Sequence, residues 1–117
     1  MTCLDVQMLG ELAEALGDEL KEITGYFIAQ LDVQVSDIQA AQDAGDSQSL
    51  NRLAHALKGS AANMGAVTLA QAAASIEKLA QRGDLEPAGP LVASLPSLAA
   101  DAATALRAQL DATRQLD

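Results

Sequence analysis

Three Gly-Asp pairs divide this sequence into segments in which apolar residues recur at helical spacing. The pairs are Gly17-Asp18, Gly45-Asp46 and Gly83-Asp84. Glycine readily adopts the left-handed conformation that follows the last turn of many helices, and aspartate is a favourable N-cap for the next helix. The pairs therefore predict short joints between helices, with Asp18, Asp46 and Asp84 as N-caps, and they favour an all-α fold.

The apolar residues before, between and after these joints predict helices of different lengths. Their spacing indicates helices over residues of about 5 to 16, 19 to 44 and 47 to 64, and a fourth that follows Gly65 and ends at Arg82. The first is short, and we expect it to lie across one end of the molecule. The second would be about 39 Å long at a rise of 1.5 Å per residue. Its predicted core stripe consists of Leu20, Ile23, Phe27, Leu31, Val35 and Ile38.

The last segment has an apolar stripe from Leu91 to Leu110 that contains a proline. Pro87 and Pro90 suit an opening turn, but Pro96 lies inside the stripe, where it removes one backbone hydrogen bond. We therefore expect a break near residue 95. The whole pattern predicts an antiparallel four-helix bundle with a short additional N-terminal helix, formed by residues 1–117 as a single domain.

Charge and cysteine content limit the partners and the compartment. The 16 acidic and 7 basic residues give a net charge of -9, which disfavours binding to nucleic acid or to an anionic membrane surface. The one cysteine, Cys3, cannot form an internal disulfide. The sequence has neither a secretion signal nor an apolar run long enough to span a bilayer. We expect a cytoplasmic monomer.

The side chains available for chemistry exclude most kinds of catalytic site. One histidine and one cysteine are too few for a structural zinc or a di-iron site, and the sequence has no phosphate-binding motif for a nucleotide. A Ser-His-Asp relay would need a buried carboxylate beside His55, which depends on contacts between helices. We therefore expect no metal and no ATP-dependent activity.

His55 remains as the candidate reactive group. At 100° per residue it lies about 140° from the core direction defined by Leu50, so the imidazole is predicted to face solvent. A glycine in mid-helix lowers the stability of the helix by about 1 kcal/mol relative to alanine. The presence of Gly59 is explained if another molecule must approach the imidazole closely. An exposed histidine without any function is the alternative. The residues one or two turns from His55 are Asn51, Arg52, Lys58, Gly59 and Ala62.

The segment from His55 to Ala66, HALKGSAANMGA, resembles the signature of the histidine-containing phosphotransfer (HPt) domain family, His-x-Leu-Lys-Gly-Ser-x-x-x-x-Gly-Ala. The likeness extends from Leu4-Asp5 to Gly83-Asp84. It implies a phosphorelay carrier, not an enzyme with its own nucleotide site. In such a carrier His55 accepts a phosphoryl group from the phospho-aspartate of a receiver domain, as in a hybrid sensor kinase. It then passes the group to the receiver domain of a response regulator.

The resemblance also implies roles for residues around His55. Lys58 would offset the charge of the phosphoryl group, and Arg52 would do so more weakly. Gly59 would leave clearance for the receiver domain. Ser60 occupies a family position, although an ordinary hydrogen bond to the helix backbone would explain it equally well. Asn51 and Ala62 would support the site. The chain itself needs no cofactor, and magnesium is expected to arrive with the receiver domain.

A docking surface and two other kinds of function complete these expectations. Tyr26, Ala29 and Val33 are apolar positions away from the core stripe of the second helix, where they would meet a partner or be ordinary exposed residues.

One alternative function is the dimerisation and phosphoacceptor region of a histidine kinase, but there an acidic residue usually follows the histidine, whereas Ala56 follows here. The other is an HPt-like module that binds a receiver domain without transferring phosphate.

Overall fold

The structure is a computed structural model that describes residues 4–115, and it contains five α-helices joined by short turns. Residues 4–115 include no β-strand, so the all-α prediction is confirmed for that part of the chain. Cys3 lies outside the described residues. The helices are α1 (Val6–Leu16), α2 (Asp18–Asp43), α3 (Ser47–Asn63), α4 (Val67–Gln81) and α5 (Leu85–Gln115).

The glycine joints lie where the sequence predicts them, and each helix boundary they define is within two residues of its predicted place. Gly17, Gly45 and Gly83 have φ angles of 55°, 69° and 76°. At the start of α3, the Asp46 carboxylate accepts the Ser49 N–H at 3.1 Å and the Ser49 hydroxyl at 2.7 Å. These two hydrogen bonds, the hydroxyl first, lower the pKa of Asp46. The N-cap of α2 differs from the prediction, because Gly17 occupies it and Asp18 is the first helical residue.

The core is continuous across all five helices, and one predicted core residue lies outside it. Ile23 is 42% exposed, whereas the neighbouring Thr24 is 1% exposed. Both positions fit the helical spacing of α2, being three and four residues after the buried Leu20. Leu9 of α1 and Leu106 of α5 cover the side on which Thr24 lies, so Thr24 is buried and the prediction for Ile23 is wrong.

Helix α5 begins at Leu85 and continues through both Pro90 and Pro96. The break predicted near residue 95 is therefore wrong, and Pro90 lies inside the helix and not in an opening turn. Pro96 is exposed, while Val92, Leu95 and Ala99 on either side of it are buried. An interior proline costs about 3 kcal/mol, and full burial of one valine or leucine side chain contributes about 1.5 to 3 kcal/mol. The packing of the flanking turns is therefore sufficient to keep the helix continuous.

Helices α2 to α5 pack as a ring in which each contacts two others, and α1 packs on α2 and α5. The start of α1 is also attached to the α3–α4 turn, because the Asp5 N–H donates to the Gly65 carbonyl at 2.7 Å. Gly65 has a φ of 69°, and a Cβ there would lie 3.3 Å from the Asp5 carbonyl oxygen. Across the described residues, none of the helices combines the length and apolar character needed to cross a membrane.

Candidate functional site

The histidine lies on the outer face of α3. Leu50, Ala54, Leu57 and Ala61 form the inner face of this helix and have 0% exposure. The side chain of His55 is 69% exposed. The same periodicity that buries one face of α3 therefore presents the imidazole on the surface.

A carboxylate from α4 holds the imidazole. Glu77 Oε2 pairs with His55 Nδ1, and Glu77 Oε1 accepts a hydrogen bond from Lys58 Nζ at 2.7 Å. The Glu77 side chain is only 16% exposed, and Lys58 is 37% exposed. Both carboxylate oxygens are thus occupied by groups of α3, and the three side chains form one cluster that we call the His55 cluster.

The ionisation of Glu77 influences which ring nitrogen of His55 carries the hydrogen. The Lys58 ammonium chiefly, and the hydrogen bond from His55 in addition, lower the pKa of Glu77 against the opposing effect of burial. Glu77 is therefore a carboxylate at neutral pH, and an ionised carboxylate can only accept hydrogen bonds. The hydrogen between the two groups is then on Nδ1, and in the neutral imidazole this leaves the lone pair on Nε2. Because folding lowers the pKa of Glu77, the stabilisation that comes from its ionised form is lost as the pH falls through that lowered pKa.

Asn51 connects the two helices at the same place. Its Nδ2 donates to the backbone carbonyl of Glu77 at 3.0 Å, and the side chain is partly buried. Asn51, His55 and Lys58 thus lie at successive turns of α3 and all contact Glu77. The N-terminal two thirds of α3 therefore lie beside the C-terminal half of α4.

Sequence reasoning did not identify Glu77. It lies 22 residues beyond His55 on another helix, so its contact with His55 depends on how α3 and α4 pack. One signal was available, since Glu77 is the only acidic residue between Asp46 and Asp84. Glu77 supplies the carboxylate that a Ser-His-Asp relay would need beside His55. The serine of such a relay is not in place, because the Ser60 hydroxyl donates to the Leu57 carbonyl at 3.2 Å.

Other predicted site residues surround the His55 cluster without contacting it. Arg52 is exposed and forms no ion pair within residues 4–115, although its charge contributes to lowering the pKa of Asp46. Gly59 is also exposed, and a Cβ placed there would meet no atom within 4 Å. Gly59 is therefore not required by packing within the described residues, and open space lies beside His55.

Two apolar surfaces lie outside the cluster. Tyr26 and Val33 on α2 are 70% and 53% exposed, and Ala29 and Ile23 are exposed with them. At the α3–α4 turn, Ala62 lines a groove of about 260 Å³. The other residues of this groove are Asp5, Met8, Gly65, Val67, Ala70, Gln71 and Ala74. Ala62 therefore lines this groove, and the residues of the His55 cluster are not among the other residues that line it.

The described residues contain no group of three or more His, Cys, Asp or Glu side chains that could hold a metal ion. The His55 face carries one carboxylate, Glu77, and both of its oxygens have partners. What the arrangement offers is a nucleophilic nitrogen in a fixed orientation, with a cation beside it and free access from solvent.

Comparison with known proteins shows a likeness that extends over nearly the whole chain. The sequence matches the family model described as the Hpt domain over residues 7–116. The structure is similar to the crystal structure of histidine-containing phosphotransfer protein B (HptB) from Pseudomonas aeruginosa PAO1, with a TM-score of 0.87 and 32% sequence identity. The match covers 92% of this chain and 93% of that chain. No curated protein matches the sequence.

Proposed function

Because the chain belongs to the Hpt domain family and is a phosphotransfer carrier of two-component signalling, we propose that it carries the phosphoryl group on Nε2 of His55. The observation that supports this assignment is the contact between His55 Nδ1 and Glu77, which leaves the other ring nitrogen free. The imidazole is also 69% exposed, so a second protein has access to that nitrogen.

The chemistry of the transfer requires no base on this chain. The lone pair of Nε2 attacks the phosphorus of a receiver domain's phospho-aspartate, an N–P bond forms, and the P–O bond to the aspartate breaks. The electron pair of that bond leaves with the aspartate carboxylate. Nδ1 keeps its hydrogen, so the imidazole of the product carries a positive charge that faces Glu77. Transfer to the aspartate of another receiver domain reverses these bond changes.

Lys58 and Gly59 would assist this transfer in different ways. The Lys58 ammonium lies one turn from His55 and is near enough to offset negative charge that arrives with the phosphoryl group. Gly59 leaves open space through which the receiver domain could approach in line. Magnesium would be bound by the receiver domain, since carboxylate oxygens are its usual protein ligands and the His55 face has only Glu77.

Hpt domains exchange phosphoryl groups with receiver domains, and we propose that the two partners here belong to a hybrid sensor kinase and a response regulator. The exposed residues Tyr26, Ala29 and Val33 of α2 would form part of the docking surface, together with Ile23. We further propose that residues 1–117 act as one cytoplasmic, monomeric domain. The ring of contacts among α2 to α5 supports an antiparallel four-helix bundle with α1 as the additional helix.

Incubation with a phosphorylated receiver domain should label this protein with an acid-labile phosphoryl group, while incubation with ATP and magnesium alone should leave it unlabelled. The sequence has no motif that binds nucleotide phosphates, so we do not expect ATP to be the direct phosphoryl donor. The measurement is radiolabel on the protein after gel separation, with and without acid treatment. Stable binding to the receiver domain without labelling would support an interaction module and contradict the proposal, and labelling by ATP alone would indicate a kinase.

Replacing Glu77 with glutamine is expected to slow phosphoryl transfer to His55 by about tenfold. A glutamine amide is similar in size, but it can donate as well as accept, so it no longer selects the tautomer with hydrogen on Nδ1. Two measurements check this: the transfer rate, and the nitrogen chemical shifts of the imidazole, which report the tautomer. A slower variant whose tautomer is unchanged would show that Glu77 acts only through packing.

A further inference from the structure

Charge is distributed very unevenly between the α3–α4 region and the remainder of the chain. Residues 47–83 contain four basic residues and one acidic residue, which gives them a net charge of +3 with histidine neutral. The other residues contain fifteen acidic and three basic residues, a net charge of -12. His55 therefore lies on a segment with a net positive charge, and Asp46 and Asp84 flank this segment directly.

The basic residues of this segment lie on α3, on α4 and at the C-terminal end of α4, the two helices that carry the His55 cluster. Arg52 is one turn before His55 on α3, Lys78 follows Glu77 on α4, and Arg82 lies one turn beyond Lys78. Since α3 and α4 meet at Glu77, all three are near the same end of the helix pair as His55. We call Arg52, Lys58, Lys78 and Arg82 the cationic face.

Three of the four side chains in the cationic face form no ion pair in the described residues, although the charge of Arg52 acts on Asp46. These three side chains, Arg52, Lys78 and Arg82, are exposed. Lys58 pairs with Glu77, which also faces His55. The local excess of positive charge is therefore directed to solvent. It is available to a second molecule.

We propose that the cationic face attracts and orients the acidic side of a receiver domain, so that Lys78 and Arg82 raise the rate of association without taking part in the transfer step. This inference rests on the proposed function. The expected partner surface is acidic because it must supply both the aspartate and the carboxylates that hold magnesium. Complementary charge steers encounter, and the acidic remainder of this chain would disfavour approach from other sides.

The charges of Lys78 and Arg82 are suited to this role because, in the described residues, neither side chain forms a hydrogen bond or ion pair with His55 or Glu77. Interactions between exposed charges extend over a screening length of about 10 Å at 0.1 M salt. Such charges influence the approach of a partner, and salt weakens this influence. A group that stabilises the transferring phosphoryl group must instead be in contact with it. The two roles can therefore be separated by kinetics.

The test compares two double variants that change the net charge equally. One is Lys78→Gln with Arg82→Gln, and the control is Lys21→Gln with Arg107→Gln, which removes two exposed cations outside the α3–α4 region. Transfer from a phosphorylated receiver domain is followed over a range of receiver concentrations, at about 0.02 M and about 0.5 M salt. Thermal melting checks that both variants are folded.

At low salt the Lys78→Gln, Arg82→Gln variant should lose about fivefold to tenfold in the second-order rate constant. Its maximum rate at saturating receiver should equal that of the parent, the control should stay within about twofold of the parent, and the difference should disappear at high salt. An equal loss in the control would overturn the proposal by showing that only net charge matters. A loss in the maximum rate would also overturn it. Failure of the parent itself to become labelled would contradict the proposed function instead.

Discussion

Replacing His55 with glutamine should abolish phosphoryl uptake from a phosphorylated receiver domain while leaving the fold intact. His55 is the one histidine in the sequence, and an amide nitrogen has no lone pair available to attack phosphorus. The expected loss is to background, a larger effect than that of any other substitution considered. Acid-labile radiolabel on the variant and on the parent, measured side by side, checks this.

The stability of the His55→Gln variant should be close to that of the parent. The histidine side chain is 69% exposed, and the glutamine amide can still donate to Glu77, so little buried contact is lost. Circular dichroism and thermal melting provide the control for folding. If a folded His55→Gln protein were still labelled by an acid-labile group, another residue would be the acceptor and the assignment of the site would be wrong.

The Gly59→Gln variant should transfer phosphoryl much more slowly than the parent although it folds at least as stably. Gly59 is one turn beyond His55, and a Cβ there meets no atom within 4 Å, so the longer side chain has room on the free protein. Glutamine is a better helix former than glycine by roughly 0.5 to 1 kcal/mol. In a complex, the same side chain would obstruct the in-line approach of the receiver aspartate, where a displacement of about 1 Å can cost ~100-fold in rate.

Gly10→Gln is a matched control for this experiment. Gly10 lies within α1, is exposed, and would also accept a Cβ without a contact inside 4 Å. Both substitutions should raise the melting temperature, but only Gly59→Gln should slow transfer. A Gly59→Gln protein that is destabilised yet transfers at the parental rate would show that the glycine serves the packing of α3.

The features that could be predicted from sequence are those set by residues close together in the chain. Gly17, Gly45 and Gly83 have positive φ angles, which few other residues tolerate, and the aspartate that follows each of them helped to identify these glycines as helix ends. The outward direction of His55 follows similarly from the single buried face of α3. Both conclusions depend only on residues that are close together in the sequence, and both agree with the structure.

The features that sequence reasoning missed depend on packing between helices. Ile23 and Thr24 fit the period of α2 equally well, and the positions of α1 and α5 determine which is buried. Pro96 would break an isolated helix, but buried neighbours keep α5 continuous. The contact between Glu77 and His55 likewise depends on the register of α3 against α4, which no local pattern specifies.

The position of the His55 cluster within one pair of consecutive helices has a consequence for how the protein acquires function during folding. Asn51, His55, Lys58 and Glu77 are at most 26 residues apart, and a single short turn connects their helices. Closing a chain segment of this length costs little entropy, and contacts between near neighbours in sequence form early and quickly. The contacts of Glu77 with Asn51, His55 and Lys58 can therefore form as soon as α3 and α4 pack together, without the more distant docking of α2 against α5.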